Sequence, residues 1–414
     1  MRALDGFAHT EPNALWRGSP RESGGRREAF ATVRESALEG ESLVSVDATT
    51  ARRILIVRLS SLGDVVHALP LLDALRRARP EAHLGWLVEE ATASLLEGHP
   101  QLDRLFVAPR REVLALARAG RWAAAGGRLR SLLGELRAER FELSLDAQSN
   151  LRSGLLARAS GASRRVGFAP PFSKEHAHWL LTDPVSAPAG KQLKVERNLE
   201  LLRPLGIEPG PARAHVPVSE RARKFAEEVL CAPGPWVALH PGVSGMGALK
   251  QWPPERFAQV ARQLEASYGA RVLVTWGPGE EVLAQRVARA TDGSARVAPA
   301  TVSLQELAAL YQRCAAVVGS DTGPIHLAAA LGVPTVALFG PKDPAIYAPW
   351  QAQTGRAARV IWKDVHCSPC GKRRCGNIIC MPAIGVEEVV RALGESLEEA
   401  REGTRLAGSL GQPA

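Results

Sequence analysis

Residues 53–59 read RILIVRL, a strand-length run of β-branched and leucine side chains, and from Val65 apolar positions recur at helical spacing until Pro80 stops them. The two textures then alternate. Runs at 83–88, 105–107 and 143–146 predict further strands, with helices near 91–97, 111–138 and 151–159. After an interruption the alternation restarts, with strands at 236–240, 271–276, 316–319 and 335–339 and helices at 254–268, 280–291, 303–313 and 323–332. The interruption, 206–217, holds Pro209, Pro211, Pro217, Gly206 and Gly210 without apolar periodicity, which suits a linker.

This order predicts an α/β protein of two doubly wound, Rossmann-like halves, each turning the carboxyl ends of its parallel strands toward a shared cleft. The expected domains span residues 51–212 and 213–400. Residues 1–50, polar and without a period, are expected to be a disordered leader, and 401–414 a flexible tail.

A hydrophobic content of 45% with 23% charged residues is that of an ordinary soluble globular chain. No stretch approaches the roughly 18 uninterrupted apolar residues of a membrane span, and the N-terminus lacks the apolar core of a secretory signal, so a cytoplasmic location is expected. The net charge of +9 is uneven: residues 104–165 carry 13 Arg against 5 Asp and Glu. Such a block favours anionic partners, although an Arg-rich solvated surface accounts for any single residue equally well. Nucleic acid is discounted, because no helix-turn-helix, zinc-finger or aromatic-interleaved basic pattern accompanies the charge.

Three strand-to-helix junctions hold the candidate chemistry. After the first strand comes Ser60-Ser61-Leu62-Gly63-Asp64, whose small residues let the backbone approach a ligand. It is not a dinucleotide fingerprint. Asp64 there can serve as a general base, or it can simply cap the helix. In the second half, His240-Pro241-Gly242-Val243-Ser244-Gly245 exposes backbone N–H groups suited to an anion, and Lys250 follows as a point charge for phosphate or an ordinary surface lysine. The run Gly319-Ser320-Asp321-Thr322-Gly323-Pro324-Ile325-His326 opens another helix whose N-terminus suits phosphate oxygens; helix capping by Asp321 or Thr322 is the plain alternative. Glu280 and Glu281, after Trp276-Gly277-Pro278-Gly279, can accept from ribose hydroxyls or can face the helix dipole.

Together these residues resemble the ADP-heptose heptosyltransferases, glycosyltransferase family nine, over roughly residues 53–395. The opening RILIVRLSSLGDVVHALP, WLVEE at 86–90, LDAQSNLRSG at 145–154 and SDTGPIHLAAALGVPTVALFGPKDP at 320–344 carry the likeness in order and in strand context. The N-terminal landmarks look like the heptosyltransferase I subtype, whereas PGVSGMGALKQW looks closer to heptosyltransferase II.

The resemblance implies the GT-B fold, with the donor held by the second domain and the acceptor by the first. It implies inverting transfer of heptose from ADP-heptose to the Kdo–lipid A or core region of lipopolysaccharide. Asp64 would be the base and Lys250 would neutralise the diphosphate. Ser244, Asp321, Thr322, Gly323 and His326 would bind the donor, with one of Glu280 and Glu281 (Glu281 preferred) on the ribose. Arg110, Arg111, Gln148 and Arg152 are the acceptor-side candidates, since guanidinium groups grip carboxylates and phosphates bidentately. The chain contains no Asp-x-Asp tripeptide, and no cofactor is expected in catalysis. The lipid acceptor implies peripheral attachment to the inner leaflet of the cytoplasmic membrane. A different acceptor, either a protein hydroxyl or another glycan, and a catalytically silent nucleotide-sugar binder are the competing readings.

The cluster Cys367-x2-Cys370-x4-Cys375-x4-Cys380 offers four thiols in a spacing that matches no standard zinc motif. A structural zinc or iron is expected there, four idle thiols being the alternative.

Overall fold

In the computed structural model, residues 49–409 are described apart from 189, 352–355 and 373. The leader expected over 1–50 lies almost wholly outside the described residues. The first half builds a six-stranded sheet from β1 (Arg53–Val57), β2 (His83–Glu89), β3 (Arg104–Ala108), β4 (Leu143–Asp146), β5 (Arg164–Phe168) and β6 (Asp183–Val185), in the order β3-β2-β1-β4-β5-β6. The second half repeats the plan with β7 (Trp236–His240), β8 (Arg271–Val274), β9 (Ala295–Val297), β10 (Ala316–Ser320) and β11 (Thr335–Phe339). A two-residue hairpin, β12 (Trp350–Gln351) with β13 (Arg356–Ala357), precedes β14 (Arg359–Trp362), and the second sheet runs β14-β11-β10-β7-β8-β9.

Every pair within the two large sheets is parallel. In each sheet the chain leaves its first strand in one direction and later returns to that strand's other side. The reversal points therefore fall between β1 and β4 and between β7 and β10, and ligands collect at the carboxyl ends there. Register makes this concrete, with Val57 opposite Asp146 and Gly319 opposite His240.

Local chemistry sets the breaks that hydrophobic period alone does not show. The helix expected from Val65 to Arg79 is two pieces, Leu62–Val66 and Leu69–Ala78, because Pro70 cannot donate an N–H and so sits at the start of the second. The helix expected over 111–138 also divides, into Arg110–Arg118 and Trp122–Ala138, around Gly120 at φ +71°. The strands at β5, β6, β9 and β14 carry too much charge or are too short to stand out in the sequence. The last helix, Val386–Ser409, continues past residue 400 into the segment expected as a tail.

One buried apolar cluster extends from Ile54 and Trp86 in the first half to Tyr311, Ile325 and Phe339 in the second. Another lies beyond the second sheet, where Trp252 and Phe257 pack with Val389 and Leu393 of the last helix. Side chains of this size contribute about 1.5–3 kcal/mol each when fully buried. The seam between the halves is closed by the helix Leu62–Val66 lying on the helix Gly323–Ala330. Two glycines permit that approach: a Cβ on Gly63 would stand 2.7 Å from His326 Cδ2, and one on Gly323 would stand 2.7 Å from Leu62 Cβ.

Candidate active site

Asp64 lies in the short helix that follows β1, and its two oxygens do different things. Oδ2 accepts from Ser61 Oγ at 3.1 Å and from the Ser61 amide at 3.5 Å, which is the helix-capping role. Oδ1 meets Arg58 Nη2 at 3.0 Å and the ammonium of Lys194. Burial alone would raise the carboxyl pKa, but Arg58 and Lys194 outweigh it and hold the group well below the usual carboxylate range. Asp64 is thus ionised, able to take a proton, and weakly basic as placed.

Beside it, Gln148 accepts from the amides of Leu59 (3.0 Å) and Ser60 (3.2 Å), so its carbonyl holds the Asp64 loop. Asp146, buried at the end of β4, accepts from the amides of Gln148 (3.0 Å) and Ser149 (2.9 Å) and from Ser153 Oγ (2.9 Å). Burial pushes its carboxyl up to about 6 against the pull of those hydrogen bonds.

Across the seam, Lys250 closes the 3-10 helix Gly245–Lys250 and donates to the carbonyl of Asp321 at 2.9 Å and to its Oδ2 at 2.6 Å. The other oxygen of Asp321 is 3.1 Å from His326 Nε2. Burial raises the Asp321 pKa, and the His326 hydrogen bond and the Lys250 charge more than reverse it, leaving the group well below the usual range. An anion with both oxygens engaged positions its lysine and histidine; it would repel a diphosphate. Thr322 caps the helix Gly323–Ala330 in extended conformation, yet its Oγ1, like Ser320 Oγ and His326 Nδ1, is buried with no hydrogen-bond partner. Buried polar atoms left open at a helix N-terminus fit an incoming anion's oxygens. Ser244 is the N-cap of the 3-10 helix and is exposed.

The two candidate ribose acids part company. Glu280 accepts from the Gly277 amide at 2.9 Å, lies 3.6 Å from His240 Nε2, and occupies the space that a Cβ on Gly242 would need. Glu281 is exposed and accepts from Gln285 at 3.1 Å, one helical turn on. The side chain against the Gly242 loop is thus that of Glu280, while Glu281 faces solvent.

On the first half, Arg152 pairs with Glu89 at the end of β2, and Arg110 lies 3.7 Å from the same carboxylate oxygen. Arg111 is exposed and touches Glu90 through its backbone amide. Sequence reasoning passed over four residues that the fold brings here. Arg58 was visible as the charge inside RILIVRL and Glu89 as an acid in WLVEE. His67 follows the short helix with neither ring nitrogen hydrogen-bonded, its ring 4.4 Å from that of His326. Burial, His326 and Lys194 together hold its pKa well below the usual imidazole value. Lys194 carried no signal.

The cysteines do not form the ligand set expected of them. Cys367, Cys370, Cys375 and Cys380 border one small cavity with Pro341 and Ile378, but all are free. Among the described residues no group of three or more His, Cys, Asp or Glu side chains is placed to hold a metal ion. Similar spacing in sequence does not bring thiols to one point; Cys370 and Cys375 are exposed while Cys380 is buried. Among the described residues, no helix is long and apolar enough to cross a membrane.

Comparison with known proteins gives the family. Lipopolysaccharide heptosyltransferase 1 of Pseudomonas aeruginosa is 31% identical over 330 residues, 78% of this chain and 87% of the relative. A solved family 9 glycosyl transferase from Veillonella parvula superposes with a TM-score of 0.70 at 25% identity, covering 86% of this chain and 99% of that one. The Escherichia coli heptosyltransferase WaaC solved with ADP gives a TM-score of 0.67 at 25% identity, covering 83% and 99%. Residues 129–378 match the profile of glycosyltransferase family 9 (heptosyltransferase), and the chain belongs to that family and is a glycosyltransferase of GT-B fold.

Proposed function

We propose that this enzyme transfers heptose from ADP-heptose to the inner core of lipopolysaccharide, with inversion at the anomeric carbon. The observation that carries the proposal is the seam itself: the Asp64 helix packs on the helix opened by Asp321, Thr322 and Gly323, with Lys250 tied to Asp321. In this reading a base and a diphosphate cradle face each other across the seam, and the helix packing supports that placement.

In this reading the acceptor hydroxyl gives its proton to Asp64 and its oxygen bonds to the anomeric carbon. The bond between the anomeric carbon and the β-phosphate oxygen breaks, and ADP leaves with that oxygen and the electron pair. Negative charge builds on the leaving diphosphate, where Lys250 and the N-terminal amides of Gly323–Ala330 are already oriented to meet it, so little reorganisation is needed. Asp321 and His326 fix Lys250 and the turn. Glu280 is the ribose acid.

The acceptor side is the first half. Arg152 and Arg110, gathered by Glu89, present guanidinium groups to the carboxylates and phosphates of Kdo–lipid A, and Gln148 keeps the loop that bears Asp64 in place. We place the domain boundary within 206–217. The fixed cations take the part that a metal plays in other transferases. The enzyme would work as a cytoplasmic protein held at the inner leaflet by its basic surface. A structural zinc or iron at the cysteines has the number of thiols in its favour, but neither their spacing nor their placement, so no part of the mechanism is routed through one.

The test is ADP release from ADP-heptose with and without Kdo–lipid A. Release that depends on the acceptor, with heptosylated product, supports the proposal. Release that ignores Kdo–lipid A, or none at all, defeats it.

A further inference from the structure

Asp64 has a partner that arrives from a distant part of the chain. Lys194 opens the helix Lys194–Leu199, and its ammonium donates to Asp64 Oδ1. The same ammonium stands 4.9 Å over the ring of Tyr347 in the second half and lies in the field of Asp321. Three residues earlier, Lys191 bridges to Asp343, also in the second half, at 2.8 Å. Lys194 therefore reaches the seam on a segment fastened to the donor side. Around Asp64 the facing charged and titratable groups are Arg58 from the end of β1, His67 after its own helix, Lys194 and, one turn on in the same helix, Arg197, with Asp321 and His326 across the seam.

One carboxylate oxygen thus meets two cations. Arg58 is anchored, because another of its nitrogens donates to the Ala147 carbonyl. Lys194 is a point charge on a flexible four-carbon stem, so its head can swing by a few ångström without backbone movement.

We propose that Lys194 is an exchangeable counter-ion: Asp64 holds it until a donor diphosphate enters the seam, and it then passes to a diphosphate oxygen, leaving Arg58 as the one cation in direct contact with Asp64. A diphosphate outbids a carboxylate for an ammonium, having more charge and more acceptor oxygens. The consequence is ordered activation. Burial favours the neutral carboxyl, and the two cations overcome it; removing one raises the basicity of Asp64 toward what hydroxyl deprotonation needs. No bond forms to Lys194. During transfer the proton goes to Asp64, and the departing diphosphate keeps the electron pair beside Lys250 and Lys194. Lys194 is a positioning residue for the base and a binding residue for the donor. The inference rests on the proposed role of Asp64 and on the second half as the donor side.

The experiment is calorimetric titration of the full chain with ADP, and with AMP as the control that lacks a second phosphate. Lys194→Met should weaken ADP binding about tenfold, the scale of one charge-assisted hydrogen bond, and leave AMP binding nearly unchanged. Lys194→Arg keeps the charge and should restore most of the affinity, which separates the effect from misfolding. Asp64→Asn releases the lysine and should tighten ADP binding about tenfold in the otherwise native chain, with no such gain in the Lys194→Met background. Equal tightening in both backgrounds, or in neither, overturns the exchange, as does equal weakening of ADP and AMP by Lys194→Met. These titrations involve no turnover. A failed cycle removes the exchange and leaves Asp64 as the base, whereas undiminished transfer by Asp64→Asn removes the base and leaves the binding cycle to stand on its own.

Discussion

Replacing Gly63 by alanine tests whether the closed seam is the working geometry. The added Cβ would lie 2.7 Å from His326 Cδ2 and 3.3 Å from Cγ, inside the ordinary contact distance of about 3.5 Å between carbons. The two helices must then part by roughly 0.8 Å, or the His326 ring must turn and abandon Asp321 Oδ1. Overpacking of this kind costs about 1–3 kcal/mol, partly offset by about 1 kcal/mol from the better helix propensity of alanine. The fold should survive. Asp64 is the next residue, so the same displacement separates base from diphosphate cradle, and a shift approaching 1 Å is worth up to about 100-fold in rate. Steady-state ADP release with saturating donor and Kdo–lipid A should show kcat down about 10- to 100-fold, with circular dichroism and melting confirming a folded chain. Gly323→Ala, whose Cβ meets Leu62, should reproduce the loss from the opposite side. Folded variants that keep kcat within roughly twofold of the parent would refute the reasoning.

Glu280→Gln should raise the KM for ADP-heptose by about tenfold while Glu281→Gln leaves it unchanged; the reverse pattern would reassign the ribose acid. Double charge reversal, Arg110→Glu with Arg152→Glu, should raise the KM for Kdo–lipid A and leave donor binding intact, and equal loss of both would refute that division of labour. Stability should also fall on acidification through His99. Its Nδ1 accepts from the Gln101 amide at 3.2 Å and its Nε2 faces the His215 carbonyl at 3.0 Å, an arrangement only the neutral ring satisfies, and burial lowers its pKa from 6.5 to about 4. The folded state thus binds fewer protons than the unfolded one between those values, so this stability is complete above pH 6.5 and is lost as the pH falls toward 4. The melting temperature should drop over that interval, less steeply in His99→Gln; parallel pH profiles for the two proteins would contradict the assignment.

Strand cores were legible because β-branched runs such as RILIVRL and TVALF have few other uses, and the order of elements fixed a doubly wound topology. The Asp64 and Asp321 junctions were legible for the same reason, since small and polar residues directly after a buried strand mark a reversal point. Helix breaks at Pro70 and Gly120 were written in the sequence but masked by an apolar period that ran on through them. Lys194 was not legible at all: within KQLKVERN nothing distinguishes it, and its meaning comes from a contact 130 residues away. Which of Glu280 and Glu281 faces Gly242 depended on the turn at Gly279, which leaves Glu280 as a non-helical N-cap and starts the helix at Glu281. For the cysteines, four thiols within 14 residues suggested a ligand set, but they border one cavity without converging, Cys370 and Cys375 exposed and Cys380 buried.

Asp64 as the proton acceptor, at a seam facing the diphosphate cradle, is the central proposal. The most direct measurement is heptose transfer from ADP-heptose to Kdo–lipid A by Asp64→Asn, at saturating substrates and with ADP binding measured on the same preparation. Loss of general-base assistance predicts a fall in kcat of about 100-fold or more with ADP still bound. Transfer within roughly tenfold of the parent, with ADP bound, would show that some other group takes the proton.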